Sequence, residues 1–408
     1  VSSFYPEPDI QELQVERLTA IVSRFLRIDD ITEGKKDFLV RYRGMLYSED
    51  TAKAYDDLAA MLKPLEITPL FRLEGERHVI LLMKGVIRPK ESNPKVNIIL
   101  FVLTVFSVLL AGTFYSYSGP VVEDQMQQLR YLFASLGSGL PFAVSFLAIL
   151  LAHEFGHYLA GRFHGTKVTL PYFIPFPLSQ LGTMGAFISI KELPKNRRVM
   201  LDIGLAGPLA GLAVAIPVLI LGISLSEVHQ LPTALAAQQG LSLEGNSILY
   251  LLIKYLVKGE LLPQPVSYGG MSPWLYWLRY FFTGTPIPWG GRDVLLHPIA
   301  WAGWAGLLIT ALNLIPAGQL DGGHIMYILL GKNARKLVPF ILAALFLLGL
   351  AWSGWWFWAF LILLFGRFYM EPLDQITRLD PPRKALATLG VIIFILVFVP
   401  VPLLFFGG

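Results

Sequence analysis

Long apolar runs limit what this chain can become before any other feature does. Residues 96–118, 140–161, 199–224, 295–316 and 385–406 are each apolar over the ~20 residues that a helix needs to cross a hydrocarbon layer. Residues 337–365 are just as apolar, but Ser353 and Gly354 interrupt them, so they read as two short spans. Composition agrees, with 54% of the 408 residues hydrophobic and only 15% charged, a balance foreign to ordinary soluble domains. The expected fold is a polytopic α-helical membrane protein of about seven transmembrane helices.

Residues 1–90 contain no run long enough to span and hold most of the charge density. Leu18, Ile21, Val22 and Phe25 recur at helical spacing, and residues 38–46 alternate apolar side chains with Arg41 and Arg43 like a half-buried strand. Ser48, Glu49 and Asp50 open a second helix that Pro64 closes, and residues 67–73 and 78–83 form two more strand candidates about Glu74 and Gly75. The pattern predicts a small soluble α+β domain over residues 1–90, regulatory or substrate-facing. A linker over residues 91–95 leads to a membrane domain over residues 96–408. His78, alone in a strand, reads as structural.

Charge placement orients the spans. Arg88, Lys90 and Lys95 precede the first run, and Arg162, Lys167, Lys191, Lys195, Arg197 and Arg198 lie between the second and third. Such clusters stay on the cytoplasmic or equivalent side. Alternation then returns Lys332, Arg335, Lys336, Arg383 and Lys384 to that side, although none of them set the orientation. The net charge of +4 is thus a matter of topology and implies no nucleic-acid partner. Residues 225–293 fall on the far side, and their apolar stretches 248–257 and 274–282 are too short to span and suit the interface.

At the end of the apolar run 142–152 stands His153-Glu154-Phe155-Gly156-His157. A spacing of four puts both imidazoles on one helix face, where they can share a metal ion, with Glu154 beside them. Zinc in such a site acidifies water and polarises a carbonyl, while the carboxylate moves the proton. Polar groups at membrane depth are costly and rarely idle, which raises the weight of this short motif. With no cysteine in the chain, any metal must be held by His, Asp or Glu.

A third ligand is then needed. The extended pattern with a third histidine fails, because Ala160 and Phe163 occupy its glycine and histidine positions. His164 lies about two turns beyond His157, too far along the helix to share a metal easily. Asp202, His297, Asp321 and His324 remain. Asp321 is the best placed, following Pro316 and Gly318 and preceding Gly322 and Gly323, in a broken-backbone segment on the same membrane face as the histidines. Its plain alternative is a helix N-cap.

These residues, with Gly182 through Ile188, Ala206-Gly-Pro-Leu-Ala210 and Asn313 through Gly323, resemble the site-2 protease family of M50-type intramembrane zinc metalloproteases over roughly residues 140–335. The resemblance implies a catalytic core in which His153, His157 and Asp321 hold one zinc ion and Glu154 is the catalytic carboxylate. It also implies that transmembrane proteins within the lipid bilayer are the substrates. Asn313 would position substrate or stabilise an oxyanion. Residues 170–190 would form a re-entrant or edge-strand element, since Pro171, Pro175 and Pro177 rule out an ordinary helix. Residues 225–293 have too few strand-like runs for the PDZ domain of many bacterial members. The amino-terminal domain, open to a regulatory partner, is closer to the EGY-like branch of plastids and cyanobacteria. That branch implies a multi-pass protein of a bacterial cell membrane or a plastid or thylakoid membrane, its active site on the cytoplasmic or stromal side.

Two other functions are compatible with intramembrane His and Glu. A zinc transporter would need polar residues along several spans, whereas here they gather at one face. A catalytically silent chaperone or scaffold would have no use for Glu154 beside both histidines.

Overall fold

The computed structural model describes residues 10–34, 38–86, 93–233 and 241–406. The basic positions Arg88 and Lys90 and residues 91 and 92 of the expected linker lie outside them. The chain forms two compact units, one drawn from residues 1–91, 191–200 and 370–383, the other from residues 92–190, 201–369 and 384–408.

In the first unit, α1 (Ile10–Val22) precedes β1 (Leu26–Glu33) and β2 (Val40–Leu46); α2 (Thr51–Leu62) then leads to β3 (Ile67–Glu74) and β4 (Arg77–Lys84). The strands form an antiparallel sheet in the order β1-β2-β4-β3. Leu18 and Val22 of α1 and Leu58 and Leu62 of α2 bury against Val40, Tyr42, Phe71, Ile80 and Leu82 of the sheet. The Asp50 side chain caps α2 by accepting from the Lys53 N–H, and a 3-10 turn over Lys63–Leu65 holds Pro64. His78 is structural: its Nδ1 accepts from the Leu46 N–H at 3.1 Å, and burial, then the charge of Arg378, keeps its pKa below the ordinary value. The unit is completed from far along the chain. The Phe71 N–H donates to Leu373 O, Gln375 N–H returns a bond to Phe71 O, and Asp374 N–H reaches Lys195 O at 2.7 Å, so the edge of β3 is covered. Ile376 joins the core cluster.

The second unit is largely helical. Its helices are α3 (Pro94–Ser116), α4 (Gln125–Ala134), α5 (Leu140–Phe163), α6 (Arg197–Leu225, whose first turn falls in the other unit), α7 (Ile248–Lys258), α8 (Pro273–Thr283), α9 (Pro298–Asn313), α10 (Asp321–Leu330), α11 (Val338–Leu348), α12 (Gly354–Phe365) and α13 (Pro381–Val397). Between α5 and α6, β5 (Tyr172–Pro175) pairs antiparallel with β6 (Thr183–Phe187). This hairpin is tied to α3, because Asn97 Nδ2 donates to Leu170 O and Pro171 O and Ser107 Oγ to Gly182 O. After α6, β7 (Glu227–Gln230) pairs with β9 (Arg292–Leu295), and β8 (Leu241–Glu244) pairs with β10 (Leu403–Phe406). The short apolar stretches of this loop became the 11-residue helices α7 and α8.

Among the described residues, three helices are long and apolar enough to cross a membrane: Pro94–Ser116, Leu136–Phe163 and Arg197–Leu225. Pro298–Asn313 and Gly354–Phe365 are apolar but shorter. The shortening relative to the sequence expectation has a covalent cause. Pro298 opens α9 and Pro316 lies just past its end, Ser353 separates α11 from α12, and Pro400 and Pro402 follow α13 where an apolar run alone suggested more helix. α9 is buried almost all round, from Ala300 through Leu308, which accounts for its apolar residues on every face. In contrast, Ile98, Ile99, Val102 and Phe106 of α3 and Phe357, Phe360 and Leu364 of α12 are exposed, a surface that suits lipid rather than water.

Candidate metal centre

The site is built where α5, α6 and the α9–α10 connection meet. His153 and His157 sit one turn apart on α5, both buried, with their Nε2 atoms 3.2 Å from each other. Asp321, the first residue of α10, brings Oδ2 to 3.4 Å from both Nε2 atoms. The N-cap position belongs to Leu320, so the capping alternative for Asp321 does not apply. Bonds of about 2.0–2.1 Å at tetrahedral angles place neighbouring donors about 3.3–3.4 Å apart. The triangle of 3.2, 3.4 and 3.4 Å is therefore one face of such a tetrahedron, and the three residues fit a zinc-sized ion that keeps a fourth position open.

The His157 imidazole is oriented from behind. Pro208 has no N–H to offer the Gly204 carbonyl, so the ladder of α6 is broken in this turn. The adjacent Ile203 carbonyl lies 2.7 Å from His157 Nδ1. A carbonyl can only accept, so Nδ1 carries the proton and the neutral ring presents its Nε2 lone pair to a metal. The ring also lies over Gly207, where a Cβ would fall on Nε2 itself, and Gly156 of α5 approaches the Ala206 backbone so closely that its own Cβ would stand 2.5 Å from that carbonyl oxygen. Hence Gly207→Ala should lower the metal bound per purified chain severalfold while leaving helix content intact. Metal analysis with circular dichroism checks this, and full metal occupancy would show that α6 can retreat without moving His157.

The turn before α10 is equally crowded. Gly318 adopts a φ of 59°, and a Cβ on Gly322 would collide with the Leu314 carbonyl. Only a glycine after Asp321 lets α10 start this close to the end of α9. Asn313, the last residue of α9, points Nδ2 to 3.3 Å from His153 Nε2, which puts a neutral amide donor at the rim of the triangle. Glu154 is 4% exposed, next to His153 and on the same side of α5 as His157.

The other histidines and Asp202 are accounted for elsewhere. His164 Nε2 pairs with Asp202 Oδ2 at 2.9 Å, so these two satisfy each other outside the triangle. His297 is the N-cap of α9, its Nδ1 accepting from the Ile299 N–H, at the opposite end of that helix from Asn313. His324 is buried one turn after Asp321 and does not join the three donors. Sequence reasoning missed Ile203 and Gly207. Ile203 acts through its carbonyl and leaves no side-chain trace; Gly207 was visible only as part of Ala-Gly-Pro.

Residues 141–351 match the model of peptidase family M50. The chain is 30% identical over 341 residues to the probable zinc metalloprotease EGY1, chloroplastic, of Arabidopsis thaliana, an alignment covering 78% of this chain and 56% of that protein. The protein of the same name from Oryza sativa subsp. japonica is 30% identical over 339 residues, covering 78% and 53%. The probable zinc metalloprotease EGY2, chloroplastic, of Arabidopsis thaliana is 28% identical over 305 residues, covering 74% and 49%. The chain thus spans about half the length of the curated relatives it matches. No solved structure matches it significantly. With a family model laid over more than half of its length and a two-histidine, one-aspartate triangle inside that stretch, the chain belongs to peptidase family M50.

Proposed function

We propose that this chain is an intramembrane zinc metalloprotease that hydrolyses peptide bonds in or near the transmembrane helices of membrane-protein substrates. The observation that carries the reading is the donor triangle of His153, His157 and Asp321 beside buried Glu154, within an apolar helix long enough to span. His153, His157 and Asp321 would hold the ion, which when bound supplies a Lewis acid for the scissile carbonyl and lowers the pKa of water toward about 7. Glu154 takes the proton of the attacking water and returns it to the leaving amine. The Asn313 amide, fixed at the end of α9, donates to the oxygen that becomes negative as the carbonyl turns tetrahedral. Among the described residues no third strand pairs with the β5–β6 hairpin, so an outer backbone edge is open to strand addition. A substrate helix that unwinds beside the site can pair there as an added strand, which exposes its peptide bonds.

The membrane setting is part of the same reading. In it the chain has seven membrane-crossing or membrane-embedded segments, the basic clusters between α5 and α6 and around residues 332–336 lie on the cytoplasmic or stromal side, and the metal centre is near that face. The chloroplastic relatives favour a plastid or related bacterial membrane. The amino-terminal unit, a compact body with its own core, takes the role of choosing or regulating substrates in this reading. The deciding experiment uses the full chain in detergent with a membrane-spanning reporter. Stripping metal should abolish cleavage and zinc should restore it; cleavage that survives removal of the metal would end the metalloprotease reading.

A further inference from the structure

A second buried charged cluster lies at the other end of α9 from Asn313. Glu244 of β8, Asp293 of β9 and Lys254 of α7 are 7%, 6% and 0% exposed. Lys254 Nζ stands 3.9 Å from Glu244 Oε1 and 3.6 Å from Asp293 Oδ1, just beyond hydrogen-bond reach of either, and 4.5 Å from the centre of the Tyr250 ring. The Tyr250 hydroxyl donates to Glu244 Oε1 at 2.8 Å and the Val294 N–H to Asp293 Oδ1 at 2.8 Å. Two carboxylates thus face one ammonium, and among the described residues one negative charge is left without a counterion in the cluster. A cavity of about 610 Å³, lined in part by Glu244, Asp293, Ser242, His229, Tyr115 and Trp301, gives the cluster access to water. Asp321 and the two histidines of the metal centre are not involved: α9 is 16 residues long, about 24 Å at 1.5 Å per residue.

We propose that Glu244, Asp293 and Lys254 form a proton-operated latch that fastens β8, β9 and α7 to one another and to the start of α9. With one proton on the carboxylate pair, the cluster is neutral and closed. Without it, the unmatched charge draws water through the cavity and loosens the segment. Burial, then Asp293, pushes the Glu244 carboxyl up to about 7, with Lys254 and the Tyr250 hydroxyl opposing; burial also raises Asp293, opposed by Lys254 and the Val294 N–H. The other titratable neighbours are Tyr280 of α8, whose hydroxyl is pushed up by burial and both carboxylates, and His229 of β7, engaged by Glu227 at 3.0 Å. Because the pKa of Glu244 is raised in the closed state above that of a solvated carboxyl, the latch is strongest at acidic pH. It weakens as pH rises through about 7. The release bears on α9 directly, since Gly245, next to Glu244, accepts from the Trp304 indole N–H at 2.8 Å.

Hydrogen exchange of the full chain in detergent, corrected for intrinsic rates, reads the latch without reference to proteolysis. Between pH 5.5 and 8, amides of residues 242–258 should lose protection by about tenfold. Glu244→Gln, which copies the neutral acid, should hold the protection of pH 5.5 at pH 8, with zinc content reporting that the rest of the chain is intact. Asp293→Asn removes the same surplus charge and serves if Glu244→Gln does not fold. Protection that is independent of pH in the unaltered chain, or a pH response that persists in the folded variant, overturns the latch.

Discussion

Glu154→Gln should reduce cleavage of a membrane-spanning reporter by roughly 10²–10⁴-fold, the share of rate enhancement that a positioned proton carrier supplies. The substitution keeps the volume and polarity of the side chain but cannot accept a proton. It leaves His153 Nε2, His157 Nε2 and Asp321 Oδ2 untouched, so zinc stoichiometry should stay that of the unaltered chain. The pairing of lost turnover with retained metal is the informative result, because a misfolded variant would lose both. Substrate affinity should survive as well, since Glu154 is buried on α5 rather than displayed on the β5–β6 hairpin. Cleavage at the unaltered rate would remove Glu154 from the chemistry.

Helical spacing alone put His153 and His157 on one face, because a local period needs no knowledge of the rest of the fold. Asp321, distant in sequence, was singled out by backbone chemistry: proline, then glycines, in a stretch where an apolar helix should have continued. What could not be read is the support. The Ile203 carbonyl is present in any residue, and its bond to His157 exists only because α6 is packed against α5 through Gly156 and Gly207. The strand β1 escaped because most of Leu26–Glu33 is exposed and has no alternation to detect. Likewise, residues 370–383 carry no mark that they seal the edge of β3, since that pairing joins Phe71 to Leu373 and Gln375 through main-chain atoms. Glu244, Asp293 and Lys254 have no sequence pattern that sets them apart from other charges, and only their burial together makes them unusual.

Asp321→Ala should cost both metal and activity, with zinc affinity falling at least about 100-fold, since loss of a direct ligand exceeds the 10- to 100-fold typical of its supporting residues. The two imidazole Nε2 atoms remain, 3.2 Å apart, but the triangle has lost its third donor and the negative charge that donor brings to the cation. Asp321→Asn separates these two contributions. The amide keeps an oxygen at the same reach but no charge, so it should bind zinc better than alanine and worse than aspartate. Gly322→Ala tests the placement without changing any donor: its methyl would meet the Leu314 carbonyl, so α10 must shift and carry the carboxylate away from both Nε2 atoms. It should therefore behave like Asp321→Ala in a zinc titration while keeping its carboxylate. If Asp321→Ala instead binds zinc at full stoichiometry and affinity, the third donor is some other group and the aspartate only neutralises the histidines. Asp202 would be the first to test, because releasing it from His164 is the smallest rearrangement that returns a carboxylate to this end of α5.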